Sequence, residues 1–399
     1  MLDLFLCLLA GCLLGVFTGL TPGVHINLIS LLLLSLSPFF LTFLSPLLLA
    51  VVIISMSITH TFLDVIPSTY LGAPNEDTAL SVLPNHRLLL EGNGYHAVKL
   101  ATIGSLLGLF FAVLSTPLLV FLVRKFYDSF QAFIPYLLLA SLVYLFYLEK
   151  KKVAALLVIL FSGVLGILSL SSFRLEQPLF PLLSGLFGSS TLLLSLKDVH
   201  AIPLQFTHLP LVLDFKKTLK SVFASLGASS FVGFLPGVSS AQAAIIASSV
   251  LKDYEEKYYL LMLGAINTIV MVIGFVAYYT IDKARNGSVV VIMKLLGDLS
   301  FSHFMVFLSV ILLSCFFASF LTLYLAKVFG VWIPKISYPL LCLSIVFFVS
   351  CLVAWFSGYL GLLFFLVATA VGMLAPLLGV ARHHLMACLL VPILFFLFL

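Results

Sequence analysis

Hydropathy divides the chain into a succession of apolar runs, most of them near or beyond the ~20 residues that span a bilayer. The runs are continuous, not alternating, which excludes a membrane β-barrel. They predict spans at residues 2–20, 46–66, 97–123, 130–148, 153–170, 258–279, 303–329, 337–356, 359–380 and 385–399. Two stretches are broken by the same dipeptide. Pro22-Gly23 separates 2–20 from a half-helix at 26–36, and Pro236-Gly237 separates 218–235 from a half-helix at 239–251. Proline removes a backbone N–H and clashes with the preceding turn, and glycine frees the backbone. Irregular backbone at membrane depth survives only inside protein or beside a wet cavity. The pattern predicts an all-α polytopic integral membrane protein. It has about 10–12 spanning or re-entrant helices in two repeats, each with a Pro-Gly-broken helix.

The repeat extends beyond the dipeptide. Aligned on Pro-Gly, Phe17/Phe231, Gly19/Gly233 and Val24/Val238 coincide. Further on, His60-Thr61 aligns with Asn267-Thr268, whereas Asp64 has Met271 in its place. Residues 1–150 form a first repeat with its break at 22–23 and a polar loop at 67–96, and 151–217 connect. Residues 218–300 form the second repeat core with its break at 236–237, and 301–399 are C-terminal scaffold helices. Inside the first polar loop, 80–90 reads as a short amphipathic helix on the membrane surface. Asp282, Lys283, Arg285, Lys294 and Asp298 mark 281–300 as another loop. The run 179–196, interrupted by Pro181, Gly185 and Gly188, reads as a span or as a re-entrant segment. A full span makes the halves parallel if both basic clusters (Lys150, Lys151, Lys152 and Lys216, Lys217, Lys220) face the cytoplasm. A re-entrant segment inverts the second half but then puts one basic cluster outside; inverted repeats are common among transporters.

Composition sharpens the class. Of 399 residues 62% are hydrophobic and 9% charged, which no soluble domain matches. The formal charge of +5 reads as the Lys/Arg bias of cytoplasmic loops and not as a nucleic-acid surface. The six cysteines lie in apolar stretches without metal spacing and read as small buried hydrophobes. No cofactor is expected beyond Na⁺ or H⁺ as a coupling ion.

The chemistry of the breaks favours anions. Each Pro-Gly is followed by a restarted helix whose first N–H groups lack partners and carry the positive end of the helix dipole. Two such ends near the midplane can hold a carboxylate or phosphate without a buried Lys or Arg. A plain kink is the competing reading of either motif alone; repetition with polar flanks favours a site. Candidate substrate-binding residues are Thr21, Pro22, Gly23, His25 and Asn27 at the first break. Pro236, Gly237, Ser239, Ser240 and Gln242 serve the second, and Thr59, His60, Asn267 and Thr268 line the other wall. Asp64 and His60, four apart and so on one helix face, are the ion-coupling candidates. Asp64 precedes Pro67 by one turn, so an interfacial position is the competing reading.

These residues resemble the large permease subunit of the tripartite tricarboxylate transporters, the TctA-type family. Its early Gly-x-x-Pro-Gly resembles Gly19–Gly23. Its Gly-x-Pro loop with a Thr/Asp-rich stretch resembles Gly72-Ala73-Pro74 and Glu76-Asp77-Thr78, followed by Gly92–Ala97. Its second Gly-x-x-Pro-Gly resembles Gly233–Gly237, and its Ala-Asn-Asn-Ala resembles Ala265-Ile266-Asn267-Thr268. The chain looks like a short, divergent member of the kind found in archaea. The resemblance implies a multi-pass permease of the cell membrane that moves a di- or tricarboxylate with H⁺ or Na⁺. It also implies a small membrane subunit and an extracytoplasmic binding protein as partners. The alternative cargo for the same anion site is a lipid-linked phosphate such as polyprenyl phosphate. An intramembrane enzyme is disfavoured. Leu295 spoils a Gly-x-Gly-Asp at Gly297-Asp298, Ser230 spoils a Gly-x-Ser-Gly at 227–230, and no His-Glu-x-x-His occurs.

Overall fold

A computed structural model describes residues 2–21, 24, 26–71, 81–131, 133–172, 175, 178–196, 203–207, 210–234, 240–251, 255–284 and 286–398. Among them there is no strand. Among the described residues, seven helices are long and apolar enough to cross a membrane: Leu2–Leu20, Pro46–Tyr70, Gly94–Tyr127, Lys152–Leu170, Glu256–Ile281, Phe301–Lys335 and Cys342–Leu378. Their outward faces carry Leu, Phe and Val side chains that a lipid environment would cover. The protein is an all-α, multi-pass membrane protein.

Helix α1 (Leu2–Leu20) stops before the first Pro-Gly, and α2 (Ile26–Ser35) begins after it. The short α3 (Ser37–Phe40) follows. Ser45 then caps α4 (Pro46–Leu63) by accepting from Leu48 N–H, and α5 (Val65–Tyr70) continues the run. Next come α6 (Val82–Leu90), α7 (Gly94–Gln131), α8 (Ile134–Leu148) and α9 (Lys152–Leu170). The interrupted run is helical: α10 (Leu179–Leu183), a π-helical stretch Ser184–Ser189 and α11 (Ser190–Ser195). Asp214 caps α12 (Phe215–Val232), which ends before the second Pro-Gly; α13 (Ser240–Val250) and α14 (Glu256–Ile281) follow. The chain closes with α15 (Gly287–Leu296), α16 (Phe301–Trp332), α17 (Tyr338–Leu378) and α18 (Ala387–Phe398). Gly358, at φ +64°, kinks α17 where the sequence places a gap between two spans.

Small residues let the central helices touch backbone to backbone. On α1, Gly15 faces α4 so closely that a Cβ there would stand 2.5 Å from Thr59 Cβ. On α7, Gly104 and Gly108 meet α14, and Ser105 Oγ donates to Gly264 O at 2.9 Å. As a result α4 and α14 are the most enclosed of the long helices, 83% and 89% buried along their apolar windows. A second core joins α9, the π-containing run, the later part of α17 and α18.

Three sequence expectations need correction. The polar loop 67–96 is partly helical and packed: α5 ends at Tyr70, which is fully buried and donates its hydroxyl to Ala326 O at 2.9 Å. Within it α6 is not simply a surface helix. Leu89 and Asn85 are buried, while Arg87 points outward and pairs with Glu91 and Glu256. The supposed loop 281–300 contains α15, because Ser288–Met293 is apolar enough to bury Val289, Val291 and Ile292 beneath its charged flanks. Finally, five cysteines are buried but Cys351 is exposed.

Candidate functional site

The two halves meet at a polar contact between α4 and α14. Asp64 closes α4 and is 1% exposed. Asn267, in mid-α14, donates its amide to both carboxylate oxygens, at 3.2 Å and 3.0 Å, and approaches Thr61 O at 3.3 Å. One turn back, His60 Nδ1 lies 3.1 Å from Thr18 Oγ1 on α1, so the other coupling candidate faces the first broken helix. Val65 to Tyr70 continue the helix beyond Asp64 and are buried as well.

Thr59 is fully buried but sits in the α1–α4 contact opposite Gly15. Thr268 is fully buried and returns its hydroxyl to Gly264 O within its own helix. Thr21 is half-buried at the end of α1, where its N–H donates to Phe17 O and its carbonyl accepts from Val24 N–H. Ser240 is buried at the start of α13. Pro22, Gly23, His25, Pro236, Gly237 and Ser239 lie outside the described residues, as does the Gln242 side chain.

Asn27 reveals an element that was missed. A Cβ on Gly287 would stand 2.7 Å from Asn27 Cγ, so the first half-helix rests against the start of α15. Ser30 Oγ donates to Ser288 Oγ one turn later, at 3.2 Å. Asn286 caps α15 by accepting from Val289 N–H and sends its amide to Met271 Sδ on α14, at 3.2 Å. The first break is thus tied to the second half's central helix. The signal was legible: Asn-Gly-Ser before an apolar run is a helix start.

With this geometry in hand, the comparisons are decisive on family. The model described as "Tripartite tricarboxylate transporter TctA family" matches residues 5–387. The chain belongs to the tripartite tricarboxylate transporter TctA family. An uncharacterized protein of Methanocaldococcus jannaschii is 35% identical over 404 residues, covering 98% of both chains. No solved structure matches.

Within this TctA-family permease, the α4–α14 contact also borders a small cavity of about 20 Å³. Asp64, Asn267 and Thr61 line it together with Ser81 and Asn85 around α6 and Ser105 on α7. The last three were not singled out from sequence, and a lone Asn in the short helix Val82–Leu90 offers no pattern that would do so. A buried carboxylate at such a position either carries a proton or balances a cation. Both are ways for a transporter to couple ion movement to substrate movement.

Proposed function

We propose that this permease is a secondary transporter of an organic anion, a di- or tricarboxylate. The anion would be held by the N–H groups that open α2 and α13, beside Asn27 and Ser240. Coupling would run through Asp64 and His60, with H⁺ or Na⁺ as the driving ion. The observation that carries this reading is the Asp64–Asn267 contact. It joins the central helices that follow the two breaks, so an ion or proton at Asp64 acts where the two halves meet. Family membership supports the tricarboxylate class, and with it a small membrane subunit and an extracytoplasmic binding protein as partners.

The test is uptake of labelled di- and tricarboxylates into proteoliposomes by the wild type and by Pro22→Ala/Gly23→Ala. The double variant should insert and lose uptake. Uptake at the wild-type rate would refute an anion site built on the first break. Release of a bound polyprenyl phosphate without carboxylate uptake would shift the cargo to a lipid phosphate at the same helix starts.

A further inference from the structure

We propose that Arg382 and His383, in the 3₁₀ turn Arg382–Met386 between α17 and α18, form with Lys151 a site for the phosphate headgroup of an anionic phospholipid. The site belongs to the second core, away from the Pro-Gly breaks and from the Asp64–Asn267 contact. It does not depend on the transporter reading.

The first observation is a cation short of acceptors. Arg382 is half-buried, and among the described residues its guanidinium makes one hydrogen bond, to the Thr191 hydroxyl on α11. Thr191 gives its own proton to Phe187 O, so it serves Arg382 as an acceptor. A guanidinium has five N–H donors, and leaving most of them open away from water is costly. The adjacent His383 is half-buried as well, and its Nε2 is enclosed without a partner. As the Nε2–H tautomer it adds one more donor at the same turn.

The second observation is the charge around the turn. Glu149 is already engaged: one carboxylate oxygen accepts from Ala381 N–H at 3.1 Å and from His384 Nε2 at 3.2 Å, and the other accepts from Lys150 N–H at 2.8 Å. It ties the turn to the start of α9 without bonding Arg382. Lys151 adds a second cation at this corner. Its ammonium donates to Leu378 O at 2.8 Å, where α17 ends. Donors and positive charge thus converge, which calls for an anion. Arg is the side chain that takes a phosphate through two parallel N–H bonds. A metal is the poorer fit, since the described residues hold no cluster of three His, Cys, Asp or Glu side chains.

The third observation selects a lipid as the source of the phosphate. The side of α17 that runs up to this corner is apolar and open: Leu363, Leu366, Val367, Leu377 and Leu378 are all exposed. At 1.5 Å per residue they cover about 22 Å of helix. A free phosphate gains nothing from that surface, whereas a phospholipid can lay its acyl chains along it with the headgroup at Lys151 and Arg382. Cations gathered at the ends of membrane helices recognise anionic headgroups in this way.

The experiment uses the detergent-purified full chain. Melting temperature and native mass spectra are recorded with phosphatidylglycerol, phosphatidylcholine or inorganic phosphate at constant ionic strength. A ligand of the folded state raises the melting temperature by mass action. We expect stabilisation by phosphatidylglycerol alone, with a retained lipid that Arg382→Gln loses. That variant should bind phosphatidylglycerol about tenfold or more weakly, the scale of a lost charge-assisted hydrogen bond. His383→Ala and Lys151→Gln should each weaken binding by a smaller factor. Lys216→Gln, which removes an exposed cation from α12, should leave it unchanged. Should Arg382→Gln fail to fold, His383→Ala and Lys151→Gln carry the test, and unchanged binding in both overturns the site. Wild-type binding by a folded Arg382→Gln, or an equal loss in Lys216→Gln, also overturns it, because the attraction would then be that of any basic surface. Equal stabilisation by inorganic phosphate would overturn the lipid as the source. No stabilisation by either anion would overturn the site and leave Arg382 for a carboxylate of a partner subunit.

Discussion

The helix before each Pro-Gly presents the same four positions inward, but with different residues. Counted back from the dipeptide, α1 has Cys7, Gly11, Gly15 and Gly19, and α12 has Ser221, Ser225, Ser229 and Gly233; all eight are buried. The glycines of α1 bring its backbone against α4. The serines of α12 keep a hydroxyl: Ser225 donates to Ser221 O at 2.8 Å within its helix and reaches Met262 O on α14 at 3.3 Å. Both are small-residue stripes of the kind that packs membrane helices. The polar residues on the central helices differ more. His60 and Asp64 on α4 can change charge, whereas Asn267 and Met271 at the matching positions on α14 cannot. Packing is shared between the two units, and at these matched positions only the first carries groups that titrate. The second unit serves it, through the Asn267 amide on Asp64.

Overpacking should break this comparison most severely. In Gly15→Leu the new side chain starts 2.5 Å from Thr59 Cβ and 2.7 Å from Met56 O, both on the well-packed α4. The expected loss is about 3 kcal/mol or more, or no folded protein at all. Ser225→Ala in the other stripe should cost about 0.5–1 kcal/mol, the usual worth of a hydrogen bond between membrane helices. Unfolding in mixed micelles by SDS titration measures both. Equal losses would mean that the two stripes do not differ as described.

A smaller contrast lies on the central helices. Asn267→Ala removes the amide from a buried carboxylate and should cost about 1.5–3 kcal/mol by the same titration. Met271→Leu, a swap of similar volume, should cost about 1 kcal/mol or less, even though it removes the sulfur that faces Asn286. A Met271→Leu loss as large as that of Asn267→Ala would remove the asymmetry between the units.

A control lies away from the broken helices and the central contact. Glu149, between α8 and α9, accepts from the N–H groups of Ala381 and Lys150 and from His384 Nε2. Bonding led by the Ala381 N–H lowers its pKa from the ordinary 4.5 to about 2. A depressed carboxylate contributes stability that is fully present above its unfolded pKa and is lost as pH falls through the folded one. The melting temperature should therefore drop between about pH 4.5 and about pH 2, and Glu149→Gln should flatten that drop at a cost of about 1–2 kcal/mol at neutral pH. An unchanged acid profile in Glu149→Gln would show that the contact does not contribute.

Much of the fold was legible because hydropathy alone determines it. The run 2–20 became α1, Leu2–Leu20, without adjustment, and the gap between 337–356 and 359–380 fell on the kink at Gly358. The alignment of His60 with Asn267 singled out α4 and α14, which the structure joins through Asn267 and Asp64. The misses share a cause. Charges at Asp282, Lys283, Lys294 and Asp298 concealed α15, and the polar run after Pro67 hid a buried Tyr70 and Asn85. Polarity along a sequence reports local composition, while burial depends on which helix covers a segment. Asn85 becomes meaningful only when α4, α7 and α14 are set around it.

The central claim is that Asp64 couples ion and anion movement. Its most direct test is gradient-driven accumulation of a labelled tricarboxylate in proteoliposomes, comparing the wild type with Asp64→Asn in protein preparations whose melting profiles match. The account predicts accumulation by the wild type under an inward Na⁺ or H⁺ gradient and loss of that gradient-driven accumulation in Asp64→Asn, because an intramembrane carboxylate marks the ion pathway. Accumulation by Asp64→Asn at the wild-type rate and with the same ion dependence would contradict it.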